Sequence, residues 1–186
     1  MKFLKSLVLY MALAFGANTA IADSTSISDL REGDMRKLVV HSAPKSVSAT
    51  PFNSEEGAPM TLADFSGKVT AVNFWAVWCA PCRHEMPMLS NLQAELGGED
   101  FEVVTIAMGR NSPQAMKQFF AEIGVDNLPL HADPRMGLSR EMGVFGLPVT
   151  VLLDRNGQEV ARLQGDADWN SDSAKTILQA LIDADV

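Results

Sequence analysis

Apolar and polar positions alternate along this chain in blocks that switch between two periods. Val69 to Ala76 (Val-Thr-Ala-Val-Asn-Phe-Trp-Ala) is β-rich and mostly apolar, the pattern of a central strand covered on both faces. A helix from Cys79 to Leu96 is predicted next, with Met86, Leu89, Leu92 and Leu96 at three- and four-residue spacing and Gly97-Gly98 as its stop. Pro87 lies inside it and is expected to kink it. Phe101 to Met108 reads as a second buried strand. Ser112-Pro113 opens a helix with Met116, Phe119, Phe120 and Ile123 inward, ended by Gly124. Leu128 to His131 is predicted as a short strand, and Asp133-Pro134 as the start of a short helix to about Met142. Val149 to Leu153 is a third main strand; Asn156-Gly157 turns it into an antiparallel partner, Glu159 to Gln164. Ser171 or Asp172 caps a last helix to about Ile182.

Upstream the pattern is weaker. Glu56-Gly57 marks the turn of a short hairpin within Val47 to Leu62, and Thr61 to Phe65 one helical turn ended by Gly67. Asp23 to Lys45 is polar apart from Leu38-Val39-Val40, so residues 23–46 are expected to form a partly mobile extension and residues 47–186 the folded domain. Parallel crossovers come first and a hairpin last. That order predicts an α/β fold, a mixed central sheet with helices on both faces.

The first 22 residues differ from the rest. Lys2 and Lys5 precede an apolar run, Leu7 to Phe15, and Ala20-Ile21-Ala22 is a small-residue cleavage signal. A secretory signal peptide is expected, and so a periplasmic protein. The alternative is an uncleaved anchor holding the chain at the inner membrane, facing the periplasm. No cysteine sits near the cleavage point, so no lipid anchor is expected there. The whole chain of 186 residues carries a net charge of −8. Without the leader's two lysines, 13 basic residues face 23 acidic ones, a net charge of −10. This balance argues against nucleic acid and anionic lipid as partners and is compatible with basic ones.

Two cysteines, Cys79 and Cys82, are the whole complement. Export favours disulfides, but a pair this close closes too small a loop to stabilise a fold much by chain entropy. One Cys-x-x-Cys supplies two of the four ligands of a zinc site, and there is no second pair; a metal is not expected. What remains is redox chemistry. Cys79 sits where strand gives way to helix, and the unpaired N–H groups of a helix start favour a thiolate. The thiolate is the nucleophile in disulfide exchange. Cys82, about one turn on, can close a small ring with it.

The motifs resemble a known family. Phe74-Trp75-Ala76-x-Trp78-Cys79-x-Pro81-Cys82-Arg83 is similar to the active-site segment of thioredoxin-fold proteins, and most of all to the TlpA-like thiol–disulfide reductases of the bacterial cell envelope. Leu62-Ala63-Asp64-Phe65-x-Gly67-Lys68-Val69, Glu85-Met86-Pro87, Gly146-Leu147-Pro148-Val149-Thr150 and Asp154-x-Asn156-Gly157 match further family segments. The resemblance covers about Val47 to Ile182. It implies a thioredoxin-like fold with an N-terminal hairpin and a central insertion near residues 111–143.

The resemblance implies a redox-active Cys79–Cys82 disulfide, with Cys79 attacking and Cys82 resolving. It implies a cis peptide before Pro148, opposite the cysteines, and substrate contact at Trp78, Pro81 and Leu147. Thioredoxin's buried Asp is replaced by Asn73, while Glu85 matches a helix carboxylate typical of the TlpA-like group. Glu85 reads either as the base for Cys82 or as a solvated surface charge. Trp78 reads as a shield over the sulfurs or as packing, Trp75 as core, and Arg83 as surface charge or thiolate support. The implied partners are disulfides in exported proteins, such as apocytochrome c or copper-delivery and oxidase-assembly proteins, with a membrane protein as electron donor. No flavin or nicotinamide motif is visible, and no cofactor is expected. The alternative is a copper-binding module, for which His84, Met86 and Met88 are the candidate ligands.

Overall fold

The structure is a computed structural model and describes residues 24–184. The predicted leader, 1–22, lies outside them. Among the described residues no helix is long and apolar enough to cross a membrane.

Among the described residues eight strands form one mixed sheet. In chain order they are β1 (Val39–Lys45), β2 (Phe52–Asn53), β3 (Pro59–Met60), β4 (Val69–Trp75), β5 (Phe101–Met108), β6 (His131–Asp133), β7 (Val149–Leu153) and β8 (Glu159–Gln164). Their spatial order is β1-β8-β7-β4-β5-β6-β2-β3. β4 runs parallel to β5 and antiparallel to β7; β5 runs parallel to β6. The helices are α1 (Ser24–Asp29), α2 (Ala80–Leu96), α3 (Pro113–Ile123), α4 (Gly137–Glu141) and α5 (Asp172–Asp183).

Every residue of β4 is buried, as its mostly apolar run leads one to expect. Its alternate side chains feed two cores. Val69, Ala71 and Trp75 pack with Leu89 and Leu92 of α2, Phe119 and Phe120 of α3, and Ile177 and Leu178 of α5. Val72 and Phe74 face the other way, into a core with Phe52, Leu62, Leu138 and Val151. Helices thus cover both faces unequally: three long ones on one, α4 and the 3-10 turn Leu62–Phe65 on the other.

The main elements lie where the periodicity puts them. α3 starts at its Ser112 cap and ends at Gly124, whose φ of 69° is the left-handed conformation that terminates helices. Gly157, at φ 71°, forms the turn between β7 and β8. The β2–β3 hairpin turns at Gly57, as expected. α2 continues through Pro87 without ending.

Three expectations need correction. The strand predicted at Leu128 to His131 is β6, displaced to His131–Asp133, where it pairs with the end of β5. The helix predicted from Asp133 starts only at Gly137, because Asp133 ends the strand. Its buried carboxylate instead accepts hydrogen bonds from the Gly137 and Ser139 amides and the Ser139 hydroxyl. The largest change concerns residues 23–46. From Ser24 onward they are not a loose extension: β1 pairs antiparallel with β8 at the sheet edge. Met35 and Leu38 are fully buried. A free edge on β8 is thereby covered.

Because Leu38 has no exposed surface, Leu38→Ala should lower unfolding stability by about 2–5 kcal/mol, the range for a buried leucine. Denaturant titration measures this; a loss below about 1 kcal/mol would show that the segment is not part of the core.

Candidate active site

The site is built at the carboxyl end of β4. The chain leaves the strand at Trp75, and a tight turn follows. The Val77 amide donates to Asn111 Oδ1 at 2.9 Å, and Asn111 donates back to the Met108 carbonyl at the end of β5. The Cys79 amide donates to the Ala76 carbonyl at 3.1 Å. Cys79 is then the N-cap of α2, in extended backbone geometry. Pro81 sits in the first helical turn, where a missing N–H costs nothing. The Cys82 amide is left to point back, 3.3 Å from Cys79 Sγ. A helix start therefore aims a donor at the sulfur that would carry negative charge.

Cys79 and Cys82 are joined as a disulfide, S–S 1.99 Å. Cys79 keeps 6% exposure and Cys82 none. Of the two cysteines only Cys79 keeps any exposed surface, while Ala80 and Pro81 beside it are exposed. Leu147-Pro148 is a cis peptide. Pro148 precedes β7, whose Val149 pairs with Phe74, so it stands at the same end of the sheet as the cysteines.

Glu85 lies one turn beyond Cys82 on the same face of α2. It is fully buried, so the solvated-surface reading is excluded. Asn73 Nδ2 donates to Glu85 Oε1 at 2.8 Å and to Thr150 Oγ1 at 2.9 Å. Asn73 and Thr150 are cross-strand partners, which is why one amide reaches both groups. The Ala167 amide and Trp169 Nε1 each donate to Glu85 Oε2 at 3.3 Å. Burial pushes the Glu85 carboxyl up to about 7, against the stabilising pull of these hydrogen bonds and with a further upward push from Asp166.

The Redoxin family model matches residues 39–178. The chain belongs to the Redoxin family. It is 37% identical over 116 residues to the thiol:disulfide interchange protein HelX of Rhodobacter capsulatus, a match covering 62% of each chain. It is 33% identical over 103 residues to the thiol-disulfide oxidoreductase ResA of Geobacillus thermodenitrificans, covering 55% of this chain and 58% of that one. The matched stretches span less than two thirds of these relatives. A crystal structure of a chain assigned as thiol:disulfide interchange protein DsbE from Chlorobium tepidum superposes with a TM-score of 0.66 at 27% identity, over 75% of this chain and 96% of that one. These matches agree with the TlpA-like, thioredoxin-fold resemblance read from the motifs.

Within this Redoxin fold the other predicted residues separate clearly. Trp78 is 64% exposed, so it is not packing. Leu147 is half-buried against both cores. Trp75 is core, stacked against Phe120 at 5.3 Å. Arg83 does not turn toward the sulfurs; its guanidinium lies over the Phe119 ring at 4.1 Å and 3.6 Å from Glu122. His84 is exposed, Met86 fully buried and Met88 packed at the core margin, so the three candidate copper ligands do not converge. Among the described residues no group of three His, Cys, Asp or Glu side chains is placed to hold a metal. Sequence reasoning missed Thr150, Ala167 and Trp169. Thr150 had a signal, its place in the Pro148 motif; the other two had none.

The sign of the Glu85 effect fixes a stability prediction. A carboxyl raised from 4.5 to about 7 keeps its proton longer in the folded than in the unfolded chain. Stability is therefore fullest below 4.5 and falls as pH rises toward about 7, a loss of about 3 kcal/mol. Denaturant midpoints of the oxidised protein should drop between pH 5 and 8, and Glu85→Gln should flatten most of that drop. An equal drop in both proteins would mean that Glu85 ionises normally.

Proposed function

We propose that this chain is a thiol–disulfide oxidoreductase that reduces disulfides of exported proteins. The observation that carries the reading is the unequal pair: an outer cysteine capping a helix and a fully buried inner one, one helical turn before a buried carboxyl. The similarity to interchange proteins and oxidoreductases supports the same activity.

In the reduced protein the Cys79 thiolate attacks one sulfur of a partner disulfide. A mixed disulfide forms, and the other partner sulfur leaves as a thiolate that takes a proton from solvent. Cys82 then gives its proton to the Glu85 carboxylate. The Cys82 thiolate attacks Cys79 Sγ and closes the 79–82 bond; the second partner sulfur leaves and is protonated. Two electrons pass to the partner. The Cys79–Cys82 disulfide form is the product, and a dithiol donor must reset it. By the family resemblance that donor is a membrane protein, and the compartment is the periplasm. Apocytochrome c and copper-delivery or oxidase-assembly proteins are the substrates of this reading. Trp78, Pro81, Leu147 and the cis-bonded Pro148 border the sulfurs in sequence or across the sheet and form the partner-contacting surface.

Reduced protein should reduce about one equivalent of a disulfide peptide without metal, with a potential below about −200 mV. Cys79→Ser should abolish the reaction. Cys82→Ser should stop at a mixed disulfide on Cys79, visible by mass and able to capture natural partners. A potential near about −120 mV would identify an oxidant instead, and no adduct on Cys79 would refute the assignment of the attacking sulfur.

A further inference from the structure

Two of the donors on Glu85 come from outside the cysteine motif, on the loop between β8 and α5. Trp169, 1% exposed, and the Ala167 amide both address Oε2, the oxygen that Asn73 leaves free. This loop is held from its outer side by the N-terminal segment. The Asp168 amide donates to Asp34 Oδ2 at 3.2 Å. Lys37 Nζ donates to the Asp166 carbonyl at 2.6 Å, and Lys37 and Asp34 are 3.1 Å apart as an ion pair. Between them Met35 is buried without exposed surface and anchors the turn.

We infer that the β8–α5 loop is a positioning element for Glu85: Trp169 and Ala167 hold the carboxyl, and Asp34 and Lys37 of the N-terminal segment keep that loop closed over it. The N-terminal segment thereby acts on the proton acceptor of Cys82 without touching either sulfur. This rests on the reading of Glu85 as that acceptor.

The groups around Glu85 make the effect separable. β4 and β7 present only the neutral Asn73 and Thr150. Cys82 on its own helix is tied in the disulfide. The loop contributes Asp166, whose charge opposes ionisation of Glu85 and whose carboxylate lies 3.7 Å from His84 Nδ1. Removing a donor leaves the buried carboxylate less supported, so Glu85 should hold its proton to higher pH. Opening the loop admits water, so Glu85 should lose its proton at lower pH. The two changes have opposite signs.

The test follows the Glu85 side-chain carboxyl by carbon NMR through a pH titration of the oxidised full chain, with Glu85→Gln assigning the signal. Trp169→Phe, which keeps an aromatic ring but not the N–H, should raise the midpoint by about one pH unit. Asp34→Ala should lower it by a similar amount. The acid limb of disulfide exchange should move in the same two directions. Unmoved midpoints, or midpoints that both fall, overturn the inference. If Trp169→Phe does not fold, Asp34→Ala at its exposed position decides alone: a lowered midpoint supports the brace, an unchanged one refutes it. Should the midpoints move as expected while Glu85→Gln leaves the acid limb of exchange in place, the loop still positions Glu85, and it is the proton-acceptor role that fails.

Discussion

The junction between β4 and α2 is the constraint on which the rest of this structure depends. Seven residues of β4 are in register with β5 and five with β7, and none of its side chains reaches solvent. The end of such a strand cannot drift. The helix begins five residues later, so the position of Cys79 is set by the sheet, while the donor facing its sulfur is set by the helix. Neither element alone would give a reachable sulfur with a backbone N–H aimed at it. The choice of Pro81 in the first turn follows, since that is where α2 can lose an N–H without losing a hydrogen bond.

The same junction explains how a carboxyl comes to be buried. The face of β4 toward α2 is apolar at Ala71 and Trp75, with Asn73 between them. Alternation forces Asn73 onto that face, and the helical repeat brings Glu85 under the face that carries Cys82. A lone carboxylate there would be prohibitively costly. Three donated hydrogen bonds, one from Asn73 of β4 and two from the β8–α5 loop, reduce the cost without cancelling it, and the residual shows as a proton affinity near neutrality. An amide in place of a second acid matters: Asn73 can donate to Glu85, whereas a carboxylate at 73 would repel it once both ionised.

Legibility from sequence followed the source of each element's stability. β4, β5, α2, α3 and the β7–β8 hairpin were readable because their own side chains bury a stripe or a face. The cysteine pair and the Pro148 loop were readable from motif. β1 was not, because an edge strand with one buried side chain, His41, has no apolar alternation; it exists because β8 offers unpaired backbone. Pro44 within it is tolerated for the same edge reason. The N-terminal turn was hidden because its anchors, Ile27, Met35 and Leu38, follow no period. Asp133 misled because its carboxylate caps α4 from the end of a strand. The environment of Glu85 was legible by half: its helix face was readable, but the loop donors that close over it lie 82 and 84 residues away in sequence.

Charge and contact divide the work at the surface. The chain is acidic, yet the large apolar side chains left exposed include Trp78 and Phe145, one beside Cys79 and one three residues before Pro148. Single exposed apolar residues need no special account, but these two lie in the two loops that meet at the carboxyl end of β4. Net charge acts over about a Debye length and biases which partners approach. Under the proposed function, discrimination at the sulfurs falls to short-range apolar contact. On that proposal a disulfide flanked by basic and apolar residues would satisfy both terms, whereas an acidic partner would have to overcome the first to reach the second.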